Sequence, residues 1–590
     1  VEGEKAGAIV AVLDGNIGNC VASSDEFYAS IRKGEVNNCF SMDGYNDSVL
    51  NSYLMYLKVS YEDADWNSWK SVEDGQGLKE KKAIFLDEIT ASLFVGGRDI
   101  KLNAYYSFAN QKWCVVLPAN YSEKEVQLEI KTSADQLFSM TRLSAEQEIY
   151  CIQEDIVYPI SFLCADNIDT LYITLAKERN LSYVHDNKLE EIPGVLTIIE
   201  KNGEISYASI QGFYGHGNDS WLADKKSYNL KFDSYVDLLG MGANEDFALL
   251  AGYRRNSLMS YVTTAELAKE VEFEFAQEFR LVNLYVAGEY AGIYFLAEKN
   301  KIAQNRIDIT NIYENTEAVN ARPLETFGYQ YQYDEEMDVE QHFYDISKNP
   351  EDTTGGYLLE IDIEDYGLMD SRFVSKNGVG IVLKRARFSS KEQVEYISEF
   401  WQEFEDALLS ADGKNSKGKH YTEYIDLESF AMQWLLYELA QEISLNSSIY
   451  YYKESDITGD GLIHACPPWD VESSYILDEV SDGLWLTGAK EKTLNGYWKA
   501  FYLHEDFRQA VSQVWIEKFR PALKMMLNEE PIVNEKGTKN LSWYKYNTVE
   551  LHKLENSRWK FAYPWNRINE IEEFLLIRIG ALDKILGDAI

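Results

Sequence analysis

One stretch of this chain sets the scale of whatever it folds into. Asp426 can cap a helix from Leu427 to about Ile443, and Phe430, Met432, Trp434, Leu435, Leu436 and Leu439 occupy most of its sides. A helix that is apolar nearly all round has to run through the core of a large domain. The chain has enough length to surround it: at 590 residues, 45% hydrophobic and 26% charged, it is several times the usual domain of about 100 to 200 residues, and more than one domain is expected. A second helix carries Val394, Ile397, Phe400, Trp401, Phe404, Ala407 and Leu408 at helical spacing, with Glu395, Glu399, Glu403 and Glu405 filling much of the rest. That pattern is amphipathic.

Charge removes whole classes of partner. Lys and Arg number 56 against 97 Asp and Glu, a net charge of −41, and a field of that sign repels phosphate backbones and anionic lipid heads. No nucleic acid and no membrane insertion are expected, since no apolar run approaches the roughly 18 residues of a membrane-crossing helix. The longest candidate, Ile156 to Cys164, is broken by Pro159. The seven histidines are scattered, with no HExxH and no CxxC, which argues against a zinc site. The six cysteines are too few for a disulfide-built fold, although Cys20, Cys39, Cys114, Cys151 and Cys164 can supply one or two bridges. The start at Val1, without initiator Met or leader, reads as a processed form.

The N-terminal part reads differently from the rest. Residues 1–80 and 81–170 are two β-rich modules. In them Tyr56 to Ser60 alternates, and Trp66, Trp69 and Asp74-Gly75-Gln76-Gly77 mark a loop. Leu93-Phe94-Val95, Gly96-Gly97 and Trp113-Cys114-Val115-Val116-Leu117 come after it. Runs at this spacing suggest sandwich-like modules with their own cores, separable from the C-terminal part of the chain. Residues 171–590 interleave strands with long helices, an α+β pattern. Within them, residues 313–352 are acidic, polar and weakly periodic, which reads as a mobile surface insertion.

The chemistry-bearing residues begin at Gly212-Phe213-Tyr214-Gly215-His216-Gly217-Asn218-Asp219-Ser220-Trp221, followed by Lys225-Lys226-Ser227-Tyr228-Asn229-Leu230-Lys231-Phe232. A glycine turn lets backbone N–H groups approach an anion, and an alternating strand can present lysines along one face; a plain hairpin has the same look. The order of further segments gives the turn its weight. Leu238-Leu239-Gly240-Met241 and Asp246-Phe247-Ala248-Leu249-Leu250 come next, then Val282 through Gly292 to Lys299 and Gly355-Gly356-Tyr357-Leu358-Leu359-Glu360-Ile361-Asp362. The helix from Asp426 to Asn446, Pro467-Pro468-Trp469-Asp470 and Asn556-Ser557-Arg558-Trp559 complete the set. This ordered set resembles the CotH family, the spore-coat-protein-H-like atypical kinases, over residues 171–590.

The resemblance implies a secreted or cell-surface bacterial protein with a divergent, two-lobed protein-kinase-like domain. It would transfer the γ-phosphoryl of ATP, with Mg or Mn, to a Ser or Thr of a protein partner. Such chemistry needs a glycine-rich cover, a lysine on the phosphates, acidic metal ligands and a carboxylate that orients the hydroxyl. On the family's pattern Gly215 and Gly217 form the cover and Lys226 or Lys231 meets the phosphates. Glu298 closes the strand where the family crosses between lobes. Asp470 and Glu472 match a metal-binding Trp-Asp-x-Asp segment, with Glu for the second Asp.

Three positions depart from that pattern. His216 replaces an arginine in the turn, and Tyr253-Arg254-Arg255-Asn256-Ser257 replaces an Asp followed by Leu-Arg-Asn. Asn446 runs directly into Ser447-Ser448-Ile449-Tyr450, where the family carries its catalytic Asp. Glu442, a turn before Asn446, is the nearest substitute, a place a solvated helix-end Glu would equally hold. Asp456-Ile457-Thr458-Gly459-Asp460-Gly461 imitates half a calcium loop. Its twelfth position is Pro467 where a Glu is needed, so a plain turn is expected, with Cys466 a buried structural thiol. Three functions are compatible with these features: an impaired kinase or pseudokinase, which needs no cofactor if it does not use ATP; an active Ser/Thr kinase with a displaced base; or a surface scaffold using its 13 Trp and 41 Tyr for glycan or protein contacts.

Overall fold

The structure, a computed structural model, describes residues 86–132, 137–141, 143–151, 156–253, 258–334, 339–362, 369–384, 387–442, 445, 447–488, 497–559 and 564–587. Ahead of these it describes Leu13–Asp14 paired in parallel with Ile31–Lys33, and Ile17–Ala22 paired in parallel with Val36–Ser41. The rest of the 1–80 module, with the expected loop at Trp66 and Trp69, lies outside the described residues.

Residues 86–165 form two four-stranded sheets. In one, Leu86–Val95 pairs with Arg98–Asn103 and Gln127–Thr132, and Leu137–Met140 forms an edge. In the other, Lys112–Pro118 lies between Tyr105–Ser107 and Ile156–Ala165, with Glu146–Cys151 outermost. Gly96 and Gly97 turn the first hairpin at φ +54° and +85°, the pair of positive values a two-residue loop requires. Alternation puts Ile89, Ala91, Leu93 and Val95 into a core shared with Val115, Leu117, Ile160 and Phe162 of the other sheet. Cys114 and Cys164 are free thiols, as is the buried Cys466.

This unit does not have its core to itself. Pairing by Tyr105–Ser107 ends at Cys114. Beyond it the Tyr285 hydroxyl accepts from the Val116 N–H at 3.3 Å and donates to the Val116 carbonyl at 2.8 Å. The Tyr172 hydroxyl does the same for Lys101, at 3.3 and 2.9 Å. One apolar cluster runs from these sheets through Tyr172, Tyr285 and Tyr290 into the C-terminal helices.

Tyr172 and Tyr285 belong to a closed seven-stranded barrel. Its order is Asp169–Leu175, Ile192–Ile199, Ile205–His216, Ser227–Asp237, Ala243–Leu250, Glu289–Glu298 and Phe279–Val286, with the last strand parallel to the first. Leu171, Ile173, Leu196, Tyr228, Leu230, Phe232, Phe247, Leu249 and Leu296 fill it, so Ser227, Asn229 and Lys231 lie on the opposite face of their strand.

The chain then passes through residues 299–311 to a seven-stranded sheet. Its order is Tyr329–Asp334, Val339–Tyr344, Arg372–Val374, Gly380–Leu383, Tyr357–Asp362, Ser447–Lys453 and Ile463–Ala465. Helices Lys391–Leu408 and Leu427–Ala440 pack on it, bringing Trp401 and Phe430 against Tyr451. The expected core helix is present: every residue from Ser429 to Ala440 is buried, and Asp426 accepts from the Ser429 N–H at 2.7 Å. It ends three residues short of Ile443 because Gln441 takes a left-handed φ of +52°.

Residues 313–352, expected to be a mobile surface insertion, supply two strands at one edge of the sheet. Leu324, Phe327, Tyr344 and Ile346 form a small core of their own. Val339, Gln341 and Phe343 are buried, and Gln341 donates to Ser398 of the covering helix at 2.7 Å. An edge strand needs only a few apolar positions, too few to stand out among acidic neighbours. The C-terminal region is helical, and ends with Leu541–Asn547, Val549–Arg558 and Pro564–Leu586. Among the described residues no helix is long and apolar enough to cross a membrane.

Candidate functional site

Polar side chains converge where the barrel meets the sheet. On the barrel side, His216 Nδ1 and Asn229 Oδ1 are 3.0 Å apart, Lys299 Nζ donates to the same oxygen at 2.8 Å, and Asn229 Nδ2 donates to the Gly215 carbonyl at 2.8 Å. Because that oxygen accepts from Lys299, the histidine proton is assigned to Nδ1. Burial, reinforced by Lys299, pulls the His216 imidazole down to about 4, so it is neutral at pH 7. Burial also lowers the Lys299 ammonium, opposed by Asp246 and helped by Lys384.

On the sheet side, Lys384 follows strand Gly380–Leu383 and pairs with Glu360 at 2.7 Å. Burial alone would lower this ammonium; Glu360, Asp370 and Asp362 outweigh it and hold the group above its ordinary value. Glu360 and Asp362 share a face of their strand, opposite Tyr450 and Ser447 in register. Burial and then Glu360 raise the Tyr450 hydroxyl well above the usual range. The Trp469 ring reaches across to His216, 6.3 Å between centroids.

Trp469 leads into Asp470-Val471-Glu472-Ser473-Ser474-Tyr475. The Glu472 N–H donates to Asp470 Oδ1 at 3.4 Å. Glu442 is fully buried, and its Oε2 accepts from the Ser473 N–H at 3.0 Å and the Ser474 hydroxyl at 2.7 Å. The left-handed turn at Gln441 aims it there, so Glu442 is a brace for this loop and not a solvated helix end. Burial raises the Tyr261 hydroxyl well above its ordinary value, and the charges of Asp470, Glu472 and Glu442 add to the effect.

The other sequence candidates fall elsewhere. Lys226 Nζ donates to the Trp221 and Ala223 carbonyls at 2.8 and 3.0 Å, closing its own turn. Lys231 is partly exposed and lies 3.4 Å from Glu191. Gly215 makes room for Trp221, and Gly217, at φ +78°, makes room for the Ser220 hydroxyl where a Cβ would otherwise sit, so both glycines fold the turn onto itself. Glu298 is buried against Arg306 at 2.8 Å, and burial pushes it up to about 7 against the pull of that guanidinium. Asn446 lies outside the described residues. The apparent calcium loop is internally satisfied: Asp456 accepts from Lys453 at 2.8 Å, and Asp460 Oδ2 is 3.0 Å from His464 Nε2. Sequence reasoning misses Lys299, Asn229 and Lys384. The one signal for Lys299 is its place directly after the strand that Glu298 closes.

Residues 214–530, more than half of the chain, match the CotH kinase protein family. The chain belongs to the CotH kinase family. A comparison with curated proteins returns no match.

What a CotH-type site would hold can be tested against these side chains. Among the described residues, no group of three or more His, Cys, Asp and Glu is arranged to hold a metal ion. A nucleotide-borne Mg²⁺ asks for less, one or two carboxylates with phosphate oxygens supplying the remaining ligands. Asp470 and Glu472, two residues apart on one loop, would supply such carboxylates. Lys299 and Lys384 are partly buried cations, one from the barrel and one from the sheet, beside which polyphosphate charge can be placed.

Proposed function

We propose that this CotH-family chain binds a nucleotide between barrel and sheet, as an atypical kinase-like protein whose phosphoryl transfer is impaired. In this reading the barrel is the small lobe, the sheet with its helices the large lobe, and the two N-terminal sheets a sandwich-like module. Lys299 and Lys384 balance the phosphates, Asn229 fixes the Lys299 ammonium, and Asp470 with Glu472 takes a divalent ion arriving with the nucleotide. The ion would supply charge neutralisation; the chain's own residues bind and orient. The observation that carries the reading is the contact of Trp469, in the loop that leads to Asp470, with His216 of the barrel, whose Asn229 partner also holds Lys299.

Impairment is argued from the connection between Ala440 and Ser447. Its single carboxylate, Glu442, is spent on Ser473 and Ser474. Loss of general-base help of this kind lowers a rate by about 10² to 10⁴. One observation favours an active enzyme instead: Asp362 is the register partner of Ser447, beside the position the family's base would take. For setting we propose the cell surface or its exterior, on family grounds, with a protein as partner. Thermal melts with ATP, with and without Mg²⁺, test binding. Wild type should be stabilised by Mg-ATP, and Lys299→Met and Asp470→Asn should not. Labelled-phosphate incorporation abolished by Asp362→Asn would replace the impaired reading with the active one.

A further inference from the structure

The family match ends at residue 530, yet helices beyond it reach back to the site. Arg567, near the start of helix Pro564–Leu586, is 5% exposed. Its Nη2 donates to the Ser474 carbonyl at 2.6 Å and the Ser260 hydroxyl at 3.3 Å, and its Nη1 lies 3.4 Å from Glu570. Glu442 grips Ser473 and Ser474 from the other side. Tyr475, next in the chain, donates its N–H to the Ala440 carbonyl at 2.8 Å, and its hydroxyl is 2.9 Å from Thr264.

Tyr475 has φ +57°, a left-handed conformation that costs a non-glycine residue on the order of 1–3 kcal/mol and persists only where its surroundings over-determine it. Residues 473–475 are thus fixed from three elements at once. That anchorage stands one residue after Glu472 and three after Asp470, short enough to set where both carboxylates point. A guanidinium suits the clamp because its planar fork lets Nη2 hold Ser260 and Ser474 while Nη1 faces Glu570, three partners for one group of fixed shape.

We propose that Arg567 is a positioning residue for the Asp470 and Glu472 carboxylates. By holding the Ser474 carbonyl it presets them for a divalent ion that enters with a nucleotide. This rests on the nucleotide reading above, and it makes the C-terminal helix part of the site.

The test is calorimetry of the full chain with a non-hydrolysable ATP analogue, in Mg²⁺ and in chelator. Removing a supporting contact behind metal ligands typically weakens metal affinity about 10- to 100-fold. Arg567→Met should therefore lose about that factor in the Mg²⁺-dependent affinity and keep the chelator affinity. Arg567→Lys, retaining a cation and a donor, should recover part of it. Unchanged Mg²⁺-dependent binding in Arg567→Met, while Asp470→Asn loses it, overturns the clamp and leaves the nucleotide reading standing. Equal loss in both media for Met and Lys variants, with a lowered ligand-free melting temperature, also overturns it by marking a purely structural role. A wild type that binds no nucleotide in either medium overturns the reading and the clamp together.

Discussion

The contact on which the C-terminal helices hang is a buried ion pair, and its energetics can be predicted in detail. The Lys225 side chain is fully buried. Its Nζ donates to Glu555 Oε1 at 2.6 Å and to the Ala251 and Ile293 carbonyls at 3.1 and 2.5 Å. Glu555 Oε2 accepts from the Ile293 N–H at 2.8 Å, beside Gly292, whose φ of +104° lets the helix approach that strand. Glu555→Gln keeps an acceptor for Ile293 but leaves a buried ammonium without its counter-charge, a loss of about 3–5 kcal/mol. For a cooperative unit of about 150–250 residues this is a fall in Tm of roughly 6 to 20 °C, read by differential scanning calorimetry. Glu555→Ala should be worse by about 1–3 kcal/mol, because the Ile293 amide is then orphaned as well. Its hydrogen exchange should accelerate. Adding Lys225→Met to Glu555→Gln removes the uncompensated charge and should restore most of the loss, since a buried pair exchanged for apolar groups is often near neutral. The reasoning is refuted if Glu555→Gln melts at the wild-type temperature, or if the double variant is only the sum of the two singles.

Other outcomes rest on the same geometry. Glu298 sits at about 7 when folded against an ordinary 4.5, so its contribution is complete below pH 4.5 and lost as pH rises through about 7. That is on the order of 3 kcal/mol, and melts of Glu298→Gln should lack this fall in stability between those values. His216 has the opposite sign. Held down to about 4, it contributes above its ordinary 6.5 and loses that as pH falls through about 4, and His216→Gln should flatten this acid limb. Lys299→Met should lower nucleotide affinity sharply in calorimetry while Lys231→Met leaves it nearly unchanged, because Lys299 is held on Asn229 beside His216 whereas Lys231 pairs with Glu191. Truncation before residue 166 should expose Tyr172, Tyr285 and Tyr290, and increased binding of a hydrophobic dye would report it.

What the sequence could and could not show divides along the range of the interactions. The helix after Asp426 is legible because burial on every side is a property of its own residues, and the cap that starts it is local. The strand lysines are half legible. Period-two alternation correctly sets Lys231 apart from Leu230 and Phe232, but nothing in it says which part of a closed barrel will face the sheet. Lys299 acquires its setting from Asn229, Asp246 and Lys384, and Arg567 and Glu555 from partners in distant segments. Pairing at such separations leaves no periodic trace.

Glu442 shows how small a local choice decides such a question. In a helix continued to Ile443 it would be one more side chain on the cylinder, with its surroundings fixed by the helix's position. The left-handed Gln441, a conformation uncommon outside glycine and asparagine, breaks the helix at Ala440 and turns the next carboxylate toward Ser473 and Ser474. One backbone angle thus supplies the loop of Asp470 with a brace and commits the only carboxylate of the segment in which the family keeps its base. On the reading proposed above, nucleotide binding and impaired transfer would share this one structural origin.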